Sequence, residues 1–160
     1  MLITQTVCAF LFDSEPWSVD WIFGLPLILL TVLINVMGLG LIGRRIVCSA
    51  CGENERAHPT LVFLMVVSGT TLLAASLHAI DAAIWAATYR LLGAMPSFHA
   101  AMLYSLNAIT SYGHTNLVLE DRWQLMGAME ALNGTLLFGL STAFLFAVIQ
   151  KVWFASREHW

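Results

Sequence analysis

Two carboxylates and a histidine stand inside long apolar runs of this sequence, a setting in which ionisable groups are paired, functional or both. His78 precedes Asp81 by three positions, so the two share one helix face, and Glu130 interrupts the last apolar run. Counted from the expected helix ends, Asp81 and Glu130 each lie about nine residues in, roughly 13 Å deep at about 1.5 Å per residue. Facing one another at that level, the two carboxylates would share a proton. They would then form either a proton- or metal-sensitive cluster or a static hydrogen-bonded network joining several helices. Residues 110–116 form a second candidate. This run of small and polar residues follows an apolar run too short to span a membrane. Cys48 and Cys51 with His58 nearby make half of a tetrahedral zinc site, and free thiols are the expected state in a reducing compartment.

The elements that must hold these groups follow from composition. The chain has 160 residues, of which 59% are hydrophobic and 11% charged, with a net charge of −3. Its mean hydropathy is +0.78. Ordinary soluble domains carry about 25% charged residues, so this chain lacks the polar side chains to cover a soluble surface. A cytosolic enzyme, a disordered chain and a nucleic-acid binder are excluded on those grounds. Three cysteines, an odd number, do not make a closed disulfide framework. An all-α integral membrane protein is expected, with no catalytic residues and no bound cofactor or metal.

The first apolar run, 21–43, is about 23 residues long and crosses a hydrocarbon core of about 30 Å. Pro26 stands near its start and Arg44 and Arg45 close it. After a polar loop, 44–58, the second span runs over 59–89 and is closed by Arg90. The run 97–109 is only about 13 residues, the length of a re-entrant or buried helix. The last span covers 123–153. Trp21, Trp123 and Trp153 at span ends read as interface anchors. Gly24, Gly38, Gly40 and Gly43 suit close helix approach, and Asn35 suits an interhelical hydrogen bond.

Three crossings put Arg44, Arg45, Arg56, Lys151 and Arg157 on one side and leave Arg90 and Arg122 on the other. The positive-inside rule makes the first side cytoplasmic. The C-terminus is then expected inside, and the segment 1–20 outside with Asp13, Glu15, Asp20, Glu120 and Asp121. No basic residue precedes the apolar stretch 1–12, so no signal peptide is expected. A full crossing by 97–109 would weaken the charge bias. Non-helical backbone at membrane depth survives only inside protein or beside a water-filled cavity, so residues 110–116 must line something. A symmetric oligomer would enclose them.

Span, short helix, polar loop and span in this order resemble the pore module of tetrameric potassium channels. That module carries Thr-Thr-Val-Gly-Tyr-Gly-Asp, with a serine five residues before the first threonine. Here Ser105 is followed by Thr110-Ser111-Tyr112-Gly113-His114-Thr115-Asn116, aligned without a gap. Thr110 and Gly113 are identical to the signature, and Ser111 and Asn116 are conservative. Gly134, Phe138-Gly139-Leu140 and Thr142-Ala143 resemble the inner helix with its hinge glycine. The likeness covers residues 59–154, and 21–43 is an added peripheral span without an arginine series.

The resemblance implies an outer helix 59–89, a pore helix 97–109, a filter loop 110–116 and an inner helix 123–153 in a homotetramer. Ser111 would supply a hydroxyl ring, and Tyr112, Gly113 and His114 would supply carbonyls to K⁺ or Na⁺. Asn107 and Asn116 would brace the filter, with Asp81, Glu130 and His78 behind it. Gly134, Thr135, Phe138, Thr142 and Phe146 would line the inner cavity and gate. Thr115 stands where the signature has its second glycine, and a β-branched residue resists left-handed dihedrals. A shortened or widened filter of weak selectivity follows. Two alternatives stay open: a membrane-embedded metal or redox protein using His78, Asp81, His99, His114 and Glu130, and a channel-shaped subunit that does not conduct.

Overall fold

The computed structural model describes residues 17–45, 59–113 and 117–157. Cys48, Cys51, His58, His114, Thr115 and Asn116 lie outside the described residues, as do most of the N-terminal segment and the loop 46–58. Every described element is helical. Helix α1 spans Trp17–Met37 and continues through a π-helical turn, Gly38–Ile42. Helix α2 is Pro59–Leu91, α3 is Phe98–Ile109, and a 3₁₀ turn, Asp121–Trp123, leads into α4, Gln124–Arg157. Three helical stretches are long and apolar enough to cross a membrane: Ser18–Arg45, Thr60–Leu91 and Asp121–Val152. They fit a membrane protein, as the composition requires.

The outer surface supports this. Ile22 and Leu29 on α1, Met65 and Leu72 on α2, and Leu132 and Phe146 on α4 are each at least 60% exposed. Contiguous apolar surface on this scale belongs against lipid or another chain, not water. Buried apolar side chains form two clusters. The larger gathers Trp85, Tyr89, Ala101, Ile109, Met126 and Met129 where α2, α3 and α4 meet. The smaller joins Val66 to Val148 and Val152 near the other end of the α2–α4 pair.

Side-chain contacts fix how the helices run. Tyr89 meets Glu130 and His78 meets Ser141, so α2 and α4 are antiparallel. Asn35 meets Asp81, and Gly38 packs on Leu77, so α1 and α2 are antiparallel too. Gly24 faces Met129, Thr31 faces Asn133 and Gly43 faces Phe144, which makes α1 parallel to α4. The short helix α3 also runs parallel to α4, since Tyr104 lies on Gly127, Ser105 on Glu130 and Ile109 on Gly134. Gly134 is ten residues into α4, so the C-terminal end of α3 reaches about 15 Å along its neighbour.

Local sequence explains where α3 begins. Ser97 is extended (φ −143°, ψ 154°), and its hydroxyl accepts the Ala100 amide at 3.2 Å, a serine N-cap. Upstream, α2 closes with Gly93 in the left-handed region (φ 72°). The Gly93 amide donates to the Arg90 carbonyl and the Ala94 amide to that of Tyr89, the paired bonds of a glycine-ended helix.

Gly134 has a specific reason to be glycine. A Cβ there would stand 2.7 Å from the Ile109 Cα and 2.9 Å from its carbonyl carbon, and that backbone cannot move aside. At Gly139, five residues on, a Cβ would meet nothing within 4 Å. Gly134→Ala is expected to destabilise the bundle by about 1–3 kcal/mol through overpacking. Gly139→Ala should be neutral or stabilising by up to about 1 kcal/mol. Unfolding of both variants in detergent, against the parent chain, checks the pair.

Candidate functional site

The large core cluster holds a buried carboxylate. Glu130, fully buried, accepts a hydrogen bond from the Tyr89 hydroxyl at 2.7 Å on Oε2 and a second from the Ser105 hydroxyl on Oε1. Tyr89 and Ser105 are themselves fully buried. The carboxylate thus ties α4 to α2 and to α3 at once. Ser105 entered the sequence analysis only as an alignment anchor. Tyr89 went unnoticed because a tyrosine at a span end reads as an interface residue. Tyr104 reinforces the contact, its ring standing edge-on to Tyr89 with centroids 5.5 Å apart.

Asp81 belongs to a different network. Asn35 Nδ2 donates to Asp81 Oδ2 at 2.6 Å and to the Thr31 carbonyl at 2.9 Å. Asn133 Nδ2 donates to the Thr31 hydroxyl at 2.8 Å, and that hydroxyl donates onward to the Leu27 and Ile28 carbonyls. Thr31, Asn35, Asp81 and Asn133 are all fully buried. Asn35 therefore serves as the expected interhelical group. His78 does share a face with Asp81, its Nδ1 lying 3.8 Å from Oδ2. Its Nε2 is 3.2 Å from the Ser141 hydroxyl, and its ring stacks on Phe138 with centroids 4.4 Å apart.

The two carboxylates do not face each other, contrary to the expectation from residue counting. The antiparallel register opposes Glu130 to Tyr89, and Asp81 is eight residues further along α2, about 12 Å away in height. Counting assumed that the helix ends are level, whereas α2 and α4 are staggered. Each carboxylate has its own donors, so the shared proton and the single cluster of His78, Asp81 and Glu130 fall away. Among the described residues no group of three or more His, Cys, Asp and Glu is placed to hold a metal ion.

Residues 110–113 are not an extended strand. The Thr110 amide reaches back to the Leu106 carbonyl, that of Ser111 to Ala108 and that of Tyr112 to Asn107. This is the same paired closure as at the end of α2, with Ser111 (φ 53°) in the place that Gly93 fills there. The residues expected to open the filter instead cap α3. Thr110, Ser111, Tyr112 and Gly113 are exposed, Tyr112 to 84%. Asn107 is half-buried. On α4, Thr135, Thr142 and Phe146 are exposed, and both threonine hydroxyls return to their own helix, at Ala131 and Phe138. Phe138 is partly covered by His78, and Gly134 is packed on α3. The five residues expected to line one cavity thus divide between an open face and two helix contacts.

Between α2 and α4 lies a cleft of about 190 Å³ lined by Thr70, Thr71, His78, Phe138, Ser141 and Thr142, among others. At the start of α4 the exposed carboxylates are locally paired, Glu120 with Arg122 at 3.0 Å and Asp121 with Gln124 at 3.0 Å. Asp20 is buried in the first turn of α1, where the helix dipole favours an anion.

Comparison with protein-family models, curated proteins and solved structures gives no match.

Tyr89→Phe and Ser105→Ala should each cost about 1–3 kcal/mol, since each leaves a buried carboxylate oxygen without its donor. A double-mutant cycle on unfolding should show coupling, because both bonds end on Glu130. Ser111→Gly should stabilise the protein by about 1 kcal/mol, because glycine adopts the left-handed cap without a Cβ penalty.

Proposed function

We propose that this chain is the subunit of a homotetrameric cation channel of the potassium-channel pore class, embedded in a lipid bilayer. The observation that carries this reading is the depth of α3. A helix too short to cross descends beside α4 to Gly134 and ends in non-helical, exposed backbone at 110–113. Within a bilayer such backbone must be enclosed by protein or face a water-filled cavity. One chain leaves it open, and sister copies around an axis would close it. The α3 helix is then the re-entrant pore helix, and residues 110–116 the narrow part of the passage.

In this reading K⁺ or Na⁺ is the permeant species, and the exposed strip Thr135, Thr142 and Phe146 of α4 faces the cavity. Glu130 and its partners hold the pore helix at its depth. Helix α1 lies on the periphery, with its N-terminal end outside and the C-terminus of the chain cytoplasmic. A channel-shaped subunit that does not conduct is the second reading. The cap at 110–112 favours it, because its amides close the chain into a turn on α3 where the resemblance calls for an extended filter strand.

Subunit counting and reconstitution into planar bilayers with opposed K⁺ and Na⁺ gradients test both. A tetramer carrying cation current supports the first reading. Tyr112→Cys should then make that current sensitive to a membrane-impermeant thiol reagent, with a loss of at least about tenfold if the side chain stands in the passage. A silent tetramer would select the second reading, and a monomer would remove both.

A further inference from the structure

The two buried apolar clusters leave a gap between them. Trp85, Tyr89 and Met126 fill one end of the α2–α4 pair, and Val66, Val148 and Val152 fill the other. The cleft of about 190 Å³ lies between these ends, with Thr70, Thr71 and His78 on one wall and Phe138, Ser141 and Thr142 on the other. Helix α2 is centred on Ala75 and α4 on Leu140 and Ser141, so the cleft stands at the middle of the spans. Its walls are mainly apolar, and its mouth runs past Thr71, Ala75, Phe138 and Thr142, all exposed. A smaller apolar cavity, of about 150 Å³, is large enough for a benzene ring.

Every hydroxyl proton on these walls is already committed. Thr70 donates to the Val66 and Val67 carbonyls at 2.8 and 3.0 Å, Thr71 to that of Val67 at 2.8 Å, and Thr142 to that of Phe138 at 2.8 Å. The Ser141 hydroxyl lies 3.2 Å from His78 Nε2, and the ring tautomer decides which of the two donates. His78 Nδ1 faces Asp81 Oδ2 at 3.8 Å, and that oxygen is an acceptor, taking the Asn35 amide at 2.6 Å. The proton of the neutral ring therefore stands on Nδ1, Nε2 accepts, and Ser141 donates. Each hydroxyl oxygen keeps a lone pair, and none keeps a proton for a guest.

A cleft with acceptors and no donor selects its guest by chemistry. A ketone, an ether or a quinone would set oxygen against oxygen, and a bare acyl chain would leave the wall oxygens unused. An alkylammonium ion would bring a charge to the level where a membrane tolerates it least. A neutral hydroxyl group brings the missing proton, and in surrounding hydrocarbon it has no other acceptor. We infer that the cleft between α2 and α4 is a binding site for a small lipophilic alcohol or phenol, whose hydroxyl donates to an oxygen of Thr71, Ser141 or Thr142. The site needs only the α2–α4 pair within a membrane and does not depend on a tetramer or on conduction through residues 110–116.

The test uses the whole chain in phosphatidylcholine vesicles. A photoactivatable diazirine derivative of hexanol is cross-linked to it and located by mass spectrometry of peptides. Labelling is expected to saturate and to concentrate in residues 70–78 and 138–145, apart from 110–116. Phenol should displace the label at a roughly tenfold lower concentration in the lipid than anisole, its methyl ether, since the two differ by one donor. The combined substitution Thr71→Val, Ser141→Ala and Thr142→Val should remove that preference and bring the two competitors level.

The comparison of phenol with anisole on the parent chain decides the matter if the triple variant does not fold. Labelling that spreads along the apolar surface without saturation, or that saturates elsewhere on the chain, would overturn the inference and leave the cleft to acyl chains. Equal displacement by phenol and anisole on the parent chain, or a preference that survives the loss of all three hydroxyls, would overturn it equally.

Discussion

Glu130 meets two helices through one side chain, and the depth of α3 depends on it. A twelve-residue helix has no span of its own to hold it in place. Its position comes from Ser105 reaching one carboxylate oxygen while Tyr89 of α2 holds the other. One turn lower, Gly134 lets the backbone of Ile109 lie directly on α4. The first contact supplies direction through hydrogen bonds and the second supplies closeness through the absence of a side chain. Together they set the register that leaves residues 110–113 where they are.

The bundle contains two polar layers with different logic. The layer around Glu130 gives each carboxylate oxygen a donor, and the rings of Tyr89 and Tyr104 stand beside it. The layer around Asp81 leaves oxygens unmet on all three long helices. Buried polar groups far from water are costly unless partnered, so the two layers ask different things of their surroundings. Helix α1 reaches α4 through the second layer, by Thr31 and Asn133, and through glycines against Met129 and Phe144. Its attachment is therefore as specific as that of the other helices.

Much of the fold was legible in the sequence. Apolar run lengths, the prolines and the closing arginines gave the three long helices to within a few residues, since a spanning helix is set by length and hydropathy. The short helix was legible for the same reason, and Ser97 marks its start. Tertiary register was not legible. Counting from helix ends put Asp81 level with Glu130, but only the Tyr89–Glu130 and His78–Ser141 contacts reveal the stagger. The turn at 110–112 was missed for a local reason. A serine in the left-handed cap position is uncommon, and the signature-like spacing suggested extended backbone instead.

The π-helical turn at Gly38–Ile42 has a further consequence for how this chain can vary. A wide turn holds one spare residue relative to the α-helix around it, which lets Gly38 and Gly43, five apart, both face the bundle. Loss of Gly40, where a Cβ would face open space, would tighten the coil there and leave every neighbour downstream on its present side. The same deletion between Thr31 and Asn35 would swing the remainder of the helix by about 100° and turn its glycines outward. Length changes in this helix are therefore tolerable at one place only, and that place is marked by its glycines.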